Sequence, residues 1–208
     1  MATAQIHSDE AVHSRLDSLG LEWPVLEDAF KYGLDEASGC NDHDAGFCKG
    51  VLLYSRIGRK LQETLKASGW RGGRPHNQQC VWNEELGVRV LHVTGNLSTG
   101  DPDPIARSAP ERPGGAARHR LIEQNSEESL HDHYPDSAGW KRPKTWFLLY
   151  RMDARKLKSE LSYPLIGSTA TGDIALVERL ILPEVPLPPG MGKGDDLWVF
   201  DESGEEDR

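Results

Sequence analysis

The sequence predicts an α+β domain: an N-terminal helical layer packed on a C-terminal antiparallel sheet, with a long loop-rich insertion. Three features carry that prediction. Apolar residues recur at three- and four-residue steps through the first 68 positions, as one face of a helix requires. From Cys80 onward, short apolar runs with two-residue alternation take over, as strands require. Residues 95–144 hold prolines at 102, 104, 110, 113, 135 and 143 with little periodicity. Helices followed by strands favour a layered α+β arrangement over alternating βαβ units. A length of 208 residues suits a single domain.

The first helix is expected to begin at Ser8, whose hydroxyl suits an N-cap. It carries Val12, Leu16 and Leu19 on one face and stops at Gly20. Pro24 fits the first turn of a second helix, with Val25, Leu26, Ala29, Phe30, Leu34 and Ala37 inward and Glu27, Asp28, Lys31, Asp35 and Glu36 outward. A third helix over 50–68 follows from Tyr54, Ile57, Leu61 and Leu65, with Gly69 as its stop. Residues 80–82 and 88–93 read as a hairpin, with Val88, Val90, His92 and Thr94 on one face and Arg89, Leu91 and Val93 on the other.

The segment 95–144 is expected to be an exposed, partly mobile insertion, ordered locally only over 119–123. Trp146 to Tyr150 then form a buried strand, and Asp153 and Ala154 turn the chain into a second strand over 157–163. A third strand covers 174–182, where Glu178 interrupts an apolar face and needs a partner or an edge position. Four prolines within 183–189 end the sheet. The rest of 183–208 is an acidic tail with a short edge strand at 197–200.

Charge narrows the functional classes. The chain carries 33 acidic and 24 basic side chains, a formal charge of -9, which argues against salt-driven coating of DNA. No apolar run is long enough to cross a bilayer, and the N-terminus lacks the pattern of a signal peptide. With three cysteines, too few for a disulfide scaffold, a cytoplasmic protein is expected. Resolved by position, the charge is -7 over residues 1–50, +4 over 51–100, -1 over 101–150 and -5 beyond.

The basic island is the most localised functional signal. Arg56, Arg59 and Lys60, followed by Trp70, Arg71 and Arg74, form a candidate partner-binding face on which arginines hold phosphates and the indole stacks on a base. The favoured expectation is a binding or accessory module docking nucleic acid or an acidic protein surface. The competing reading of the same charges is structural: a basic helix face that docks on the acidic N-terminal helices.

Metal ligands cluster twice. Cys40, His43 and Cys48, completed by Cys80 or His76, supply thiolates and an imidazole for tetrahedral zinc, although no CxxC pair is present. Without metal, Cys40 and Cys48 beside His43 form a candidate thiolate pair. His131, His133 and Asp136, joined by Glu160 or Glu178 from the sheet, are candidate ligands of a metal-dependent hydrolase. Pro135-Asp136 and Asp153-x-Arg155 partly resemble the proline-aspartate and acidic-x-lysine pattern of magnesium-dependent nucleases, with Glu160 on the next strand. The arginine stands where lysine would help activate water. The loop 94–100 lacks the lysine, and the hydroxyl residue directly after it, of a phosphate-binding loop. No serine-nucleophile elbow or zinc-protease helix motif occurs.

Overall fold

The computed structural model describes residues 4–41, 43–103, 105–111, 115–126, 143–153, 155–166 and 174–191. The chain runs β1 (Gln5–His7), α1 (Glu10–Ser18), α2 (Trp23–Ser38), α3 (Cys48–Leu65), β2 (Arg71–Gly73), β3 (Cys80–Asn83) and β4 (Val88–Thr94). It continues through α4 (Ala116–Ser126), β5 (Lys144–Asp153), β6 (Lys156–Ile166), β7 (Ile174–Ile181) and β8 (Val185–Pro186).

Pairing produces one sheet in the order β1-β7-β6-β5-β4-β3-β2, with β8 hydrogen-bonded to the start of β6. The sheet is mixed, which corrects the expectation of an antiparallel one. β4 runs parallel to β5 from Val88 opposite Lys144 to Thr94 opposite Tyr150, and β1 runs parallel to β7. A parallel pair needs a long crossover. The segment read as a loop-rich insertion supplies it and contains α4, longer than the 119–123 expected to be ordered.

Side-chain alternation in β4 and β5 divides the interior in two. Val88, Val90, Trp146, Leu148 and Tyr150 face α1, α2 and α3, whereas Leu91, Val93, Phe147 and Leu149 face Leu121 and Ile122 of α4. β5 is buried on both faces, so it reads as a continuous apolar run. The helices present the predicted stripes: Leu26, Ala29, Phe30 and Leu34 from α2 meet Leu53, Ile57 and Leu61 from α3. Gly33 brings these helices close, because a Cβ there would press on Ile57 and Leu53. Gly69, with φ of 80°, ends the 3-10 turn after α3.

Polar groups fasten the layers. Glu178 has the partner that its position on an apolar face demands: Arg15 of α1 donates to both its oxygens at 2.6 and 2.9 Å. At the end of α4, buried Asn125 donates to the carbonyls of Thr145 and Pro164, each at 2.8 Å, and accepts from the Thr145 N–H at 2.7 Å. The loop after β4 is likewise fixed. Gly95 bridges Pro110, and Asn96 accepts from the N–H groups of Ser98 and Ala109 and donates to the Arg107 carbonyl. Residues 192–208, including the expected edge strand and acidic tail, lie outside the described residues.

Candidate functional site

The stripe that buries Ile57 and Leu61 turns Arg56 and Lys60 toward α2. Arg56 lies 2.9 Å from Glu36, and Lys60 lies 2.9 Å from Asp28. Arg59 is bound to Glu63 one helical turn away at 2.8 Å, and Arg71 reaches Glu84 across the β2–β3 pair at 3.0 Å. Partly exposed pairs of this kind add little stability, but each carboxylate competes with any incoming anion. Trp70 is 3% exposed and belongs to the core, so the stacking role expected for it is corrected. Of the expected partner-binding residues, Arg74 is exposed and has no salt bridge among the described residues.

A different gathering of charge lies at the carboxyl end of β4. A cavity of about 250 Å³ opens there, lined by Val51 and Tyr54 of α3, Val93 and Thr94 of β4, Glu111 and Arg118. The path from sequence to site is short. Residue Tyr54 belongs to the inward stripe of α3, and its ring rests on His92 with centroids 4.4 Å apart. Gly58, one turn later, lets α3 lie against the sheet, because a Cβ there would collide with His92 and the Gln79 amide. The His92 ring Nε2 lies 3.0 Å from the Tyr54 carbonyl, to which it donates as the neutral imidazole. Burial holds the His92 pKa down at about 4.

The electrostatics of the cavity centre on the Tyr54 phenol. Burial raises its pKa, while a backbone hydrogen bond with Gln79 and the positive fields of Arg118 and Arg74 act against that. Arg118, in the cavity wall, and Arg74, outside the lining, thus act on one phenol from distant segments of the chain. Burial lowers the Arg118 guanidinium, a sign of its withdrawal from water. Glu111 is bound to Arg151 at 3.2 Å, so the carboxylate in the wall is largely neutralised. Behind Thr94, burial pushes the Tyr150 phenol well above its ordinary value; Thr94 offsets part of this and Tyr54 adds to it.

The cysteine cluster assembles in part. Cys40, just past the end of α2, and Cys48, the first residue of α3, bring their sulfurs to 2.9 Å. Their Sγ atoms and an Asp44 carboxylate oxygen all lie within 4.8 Å of one another. Cys80 is excluded from that group: it is buried on the α4 side of the sheet with Leu91 and Phe147. His43 also stands outside it, and His76 lies in the exposed turn after β2. The expected four-ligand zinc set of Cys40, His43, Cys48 and Cys80 is thus replaced by Cys40, Asp44 and Cys48.

The hydrolase reading loses its sheet ligand. Glu160 is fully buried, and its two oxygens are taken by Ser162 and Arg179 Nε on one side and by the Gly100 N–H and Arg179 Nη2 on the other, at 2.6 to 3.2 Å. Those four bonds fill the acceptor sites of a carboxylate. Arg179 also donates to the carbonyls of Ser98, Asp101 and Ala106, so the pair anchors the loop after β4. His131, His133 and Asp136 lie outside the described residues. Asp153, from the nuclease-like pattern, pairs with Lys158 at 3.4 Å on the exposed turn between β5 and β6.

Sequence reasoning missed Arg118 and the site role of Tyr54. Arg118 stood in a segment read as insertion, and its helical register with Leu121 and Ile122 was the one available signal. Among the described residues no helix is long and apolar enough to cross a membrane. Comparison of the chain with protein-family models, with curated proteins and with solved structures finds no match.

Proposed function

We propose that the chain is a binding or accessory module that docks an anionic side chain of a partner protein in the cleft between α3, the end of β4 and α4. The cavity at the end of β4, lined by Tyr54 and Arg118, carries the reading, and the field of Arg74 acts on the same phenol from outside the lining. On the outer face of α3, Arg56, Arg59 and Lys60 each have a carboxylate partner. An acidic protein group suits the cleft better than nucleic acid does. A nucleic-acid binder that makes roughly 6 to 10 phosphate contacts draws on as many basic groups, whereas one arginine lines this cleft in a chain of charge -9.

The test uses a short Asp/Glu-rich peptide and a single-stranded oligonucleotide as probes, titrated calorimetrically at two salt concentrations. The peptide is expected to bind and to weaken about ten-fold or more in Arg74→Gln and in Arg118→Gln, the loss associated with one charge-assisted hydrogen bond. Arg56→Gln is expected to bind like the parent. Equal affinity of the parent and both cleft variants rejects the site, and tighter binding of the oligonucleotide rejects the partner class.

A further inference from the structure

We propose that Cys40, Asp44 and Cys48 form a zinc site, with two thiolates and one carboxylate from a single loop and a fourth position for water. The ligands recur every fourth residue, and hydrogen bonds among the described residues close the loop. The Asn41 N–H donates to an Asp44 carboxylate oxygen at 2.9 Å, the Asp44 N–H donates to the Asn41 carbonyl at 3.0 Å, and the Cys48 N–H donates to the Ala45 carbonyl at 2.7 Å. These bonds hold Asp44 on the side of the loop where the two sulfurs meet.

The donor set selects the ion. Two thiolates favour zinc over magnesium or calcium, which prefer oxygen, and a tetrahedral ion with bonds of roughly 2.0 to 2.3 Å holds its ligands a little under 4 Å apart. The three donor atoms, mutually within 4.8 Å, meet that spacing after a small opening of the 2.9 Å sulfur pair.

Binding is a ligand exchange without redox change: hydrated Zn²⁺ gains two Zn–S bonds and one Zn–O bond, releases water, and two thiol protons pass to buffer. The ion then clamps the end of α2 to the first turn of α3. Gly50 and Val51, two and three residues beyond Cys48, line the cavity described above. The site itself does not depend on the docking role of that cavity.

Cobalt tests it on the full-length reduced chain, with tris(2-carboxyethyl)phosphine present throughout. Co²⁺ is expected to saturate at one equivalent with tetrahedral visible bands and a thiolate-to-cobalt charge-transfer band, all abolished by one equivalent of Zn²⁺. Cys40→Ser and Cys48→Ser should each remove about half of the charge-transfer intensity, the share of one of two thiolates. Asp44→Asn, at an exposed position, should weaken binding by at least the roughly 10- to 100-fold typical of losing a supporting partner. Cys80→Ala should leave the spectrum unchanged. No charge-transfer band in the reduced parent, or a band that survives Cys40→Ser and disappears with Cys80→Ala, overturns the proposal. Circular dichroism of each variant separates lost ligands from lost folding.

Discussion

His92 is uncharged in the folded chain because its ring is buried between α3 and the sheet, with Nε2 donating to the Tyr54 carbonyl. Its pKa falls from 6.5 in a free imidazole to about 4, so the unfolded chain binds a proton that the folded chain refuses. Stability from this residue is therefore complete above pH 6.5, declines as the pH falls towards 4, and is lost by about 3 kcal/mol at most. Urea unfolding at pH 7 and pH 4.5 should show that decline in the parent, and His92→Asn should flatten it. Glu160 gives a larger single-site effect. Glu160→Gln leaves the Arg179 guanidinium buried without its counter-charge, a change expected to cost about 3 to 5 kcal/mol in chemical denaturation. An effect below 1 kcal/mol would show that water reaches Arg179. Neither role was legible in the sequence, because the Glu160–Arg179 pair arises from β6 lying beside β7, a register that no local spacing specifies.

Gly58 and Asn125 set how closely the helical elements approach the sheet. Alanine at an exposed helical glycine would gain about 1 kcal/mol of propensity, but at Gly58 the methyl meets His92 and Gln79. Overpacking of this kind costs about 1 to 3 kcal/mol, so Gly58→Ala should be less stable than the parent by thermal unfolding. A gain in stability would mean that α3 can lift off the sheet. Asn125→Ala removes partners from two carbonyls and one N–H at the end of α4 and should raise amide exchange at Thr145 relative to the centre of β5.

The elements themselves were largely legible. α2, α3, β4, β6 and β7 each have a periodic apolar pattern, β3 and β5 a short apolar run, and all of them form within a few residues of their expected bounds. The short β1, β2 and β8 were not legible, since two or three residues hold no period and their pairing comes from the sheet. The parallel run of β4 beside β5 was hidden by the prolines and glycines around α4, whose composition resembles loop more than crossover.

Over the whole molecule, a charge of -9 conceals an arrangement in which most of the basic island is spent internally. Arg56 and Lys60 join α3 to α2, as the structural reading of the sequence expected. Arg74, from the same island, is instead carried over β2 toward α4, where it and Arg118 bear on Tyr54. The cleft depends on three segments more than 15 residues apart in the chain, so only the fold brings it into view. The most direct measurement is residue-resolved chemical-shift mapping by nuclear magnetic resonance, as an Asp/Glu-rich peptide is added to the full-length chain. Saturable shifts at the Tyr54 ring and at the Arg74 and Arg118 guanidinium groups are expected. Shifts confined to Arg56, Arg59 and Lys60, or none at saturating peptide, would contradict the cleft as the docking site.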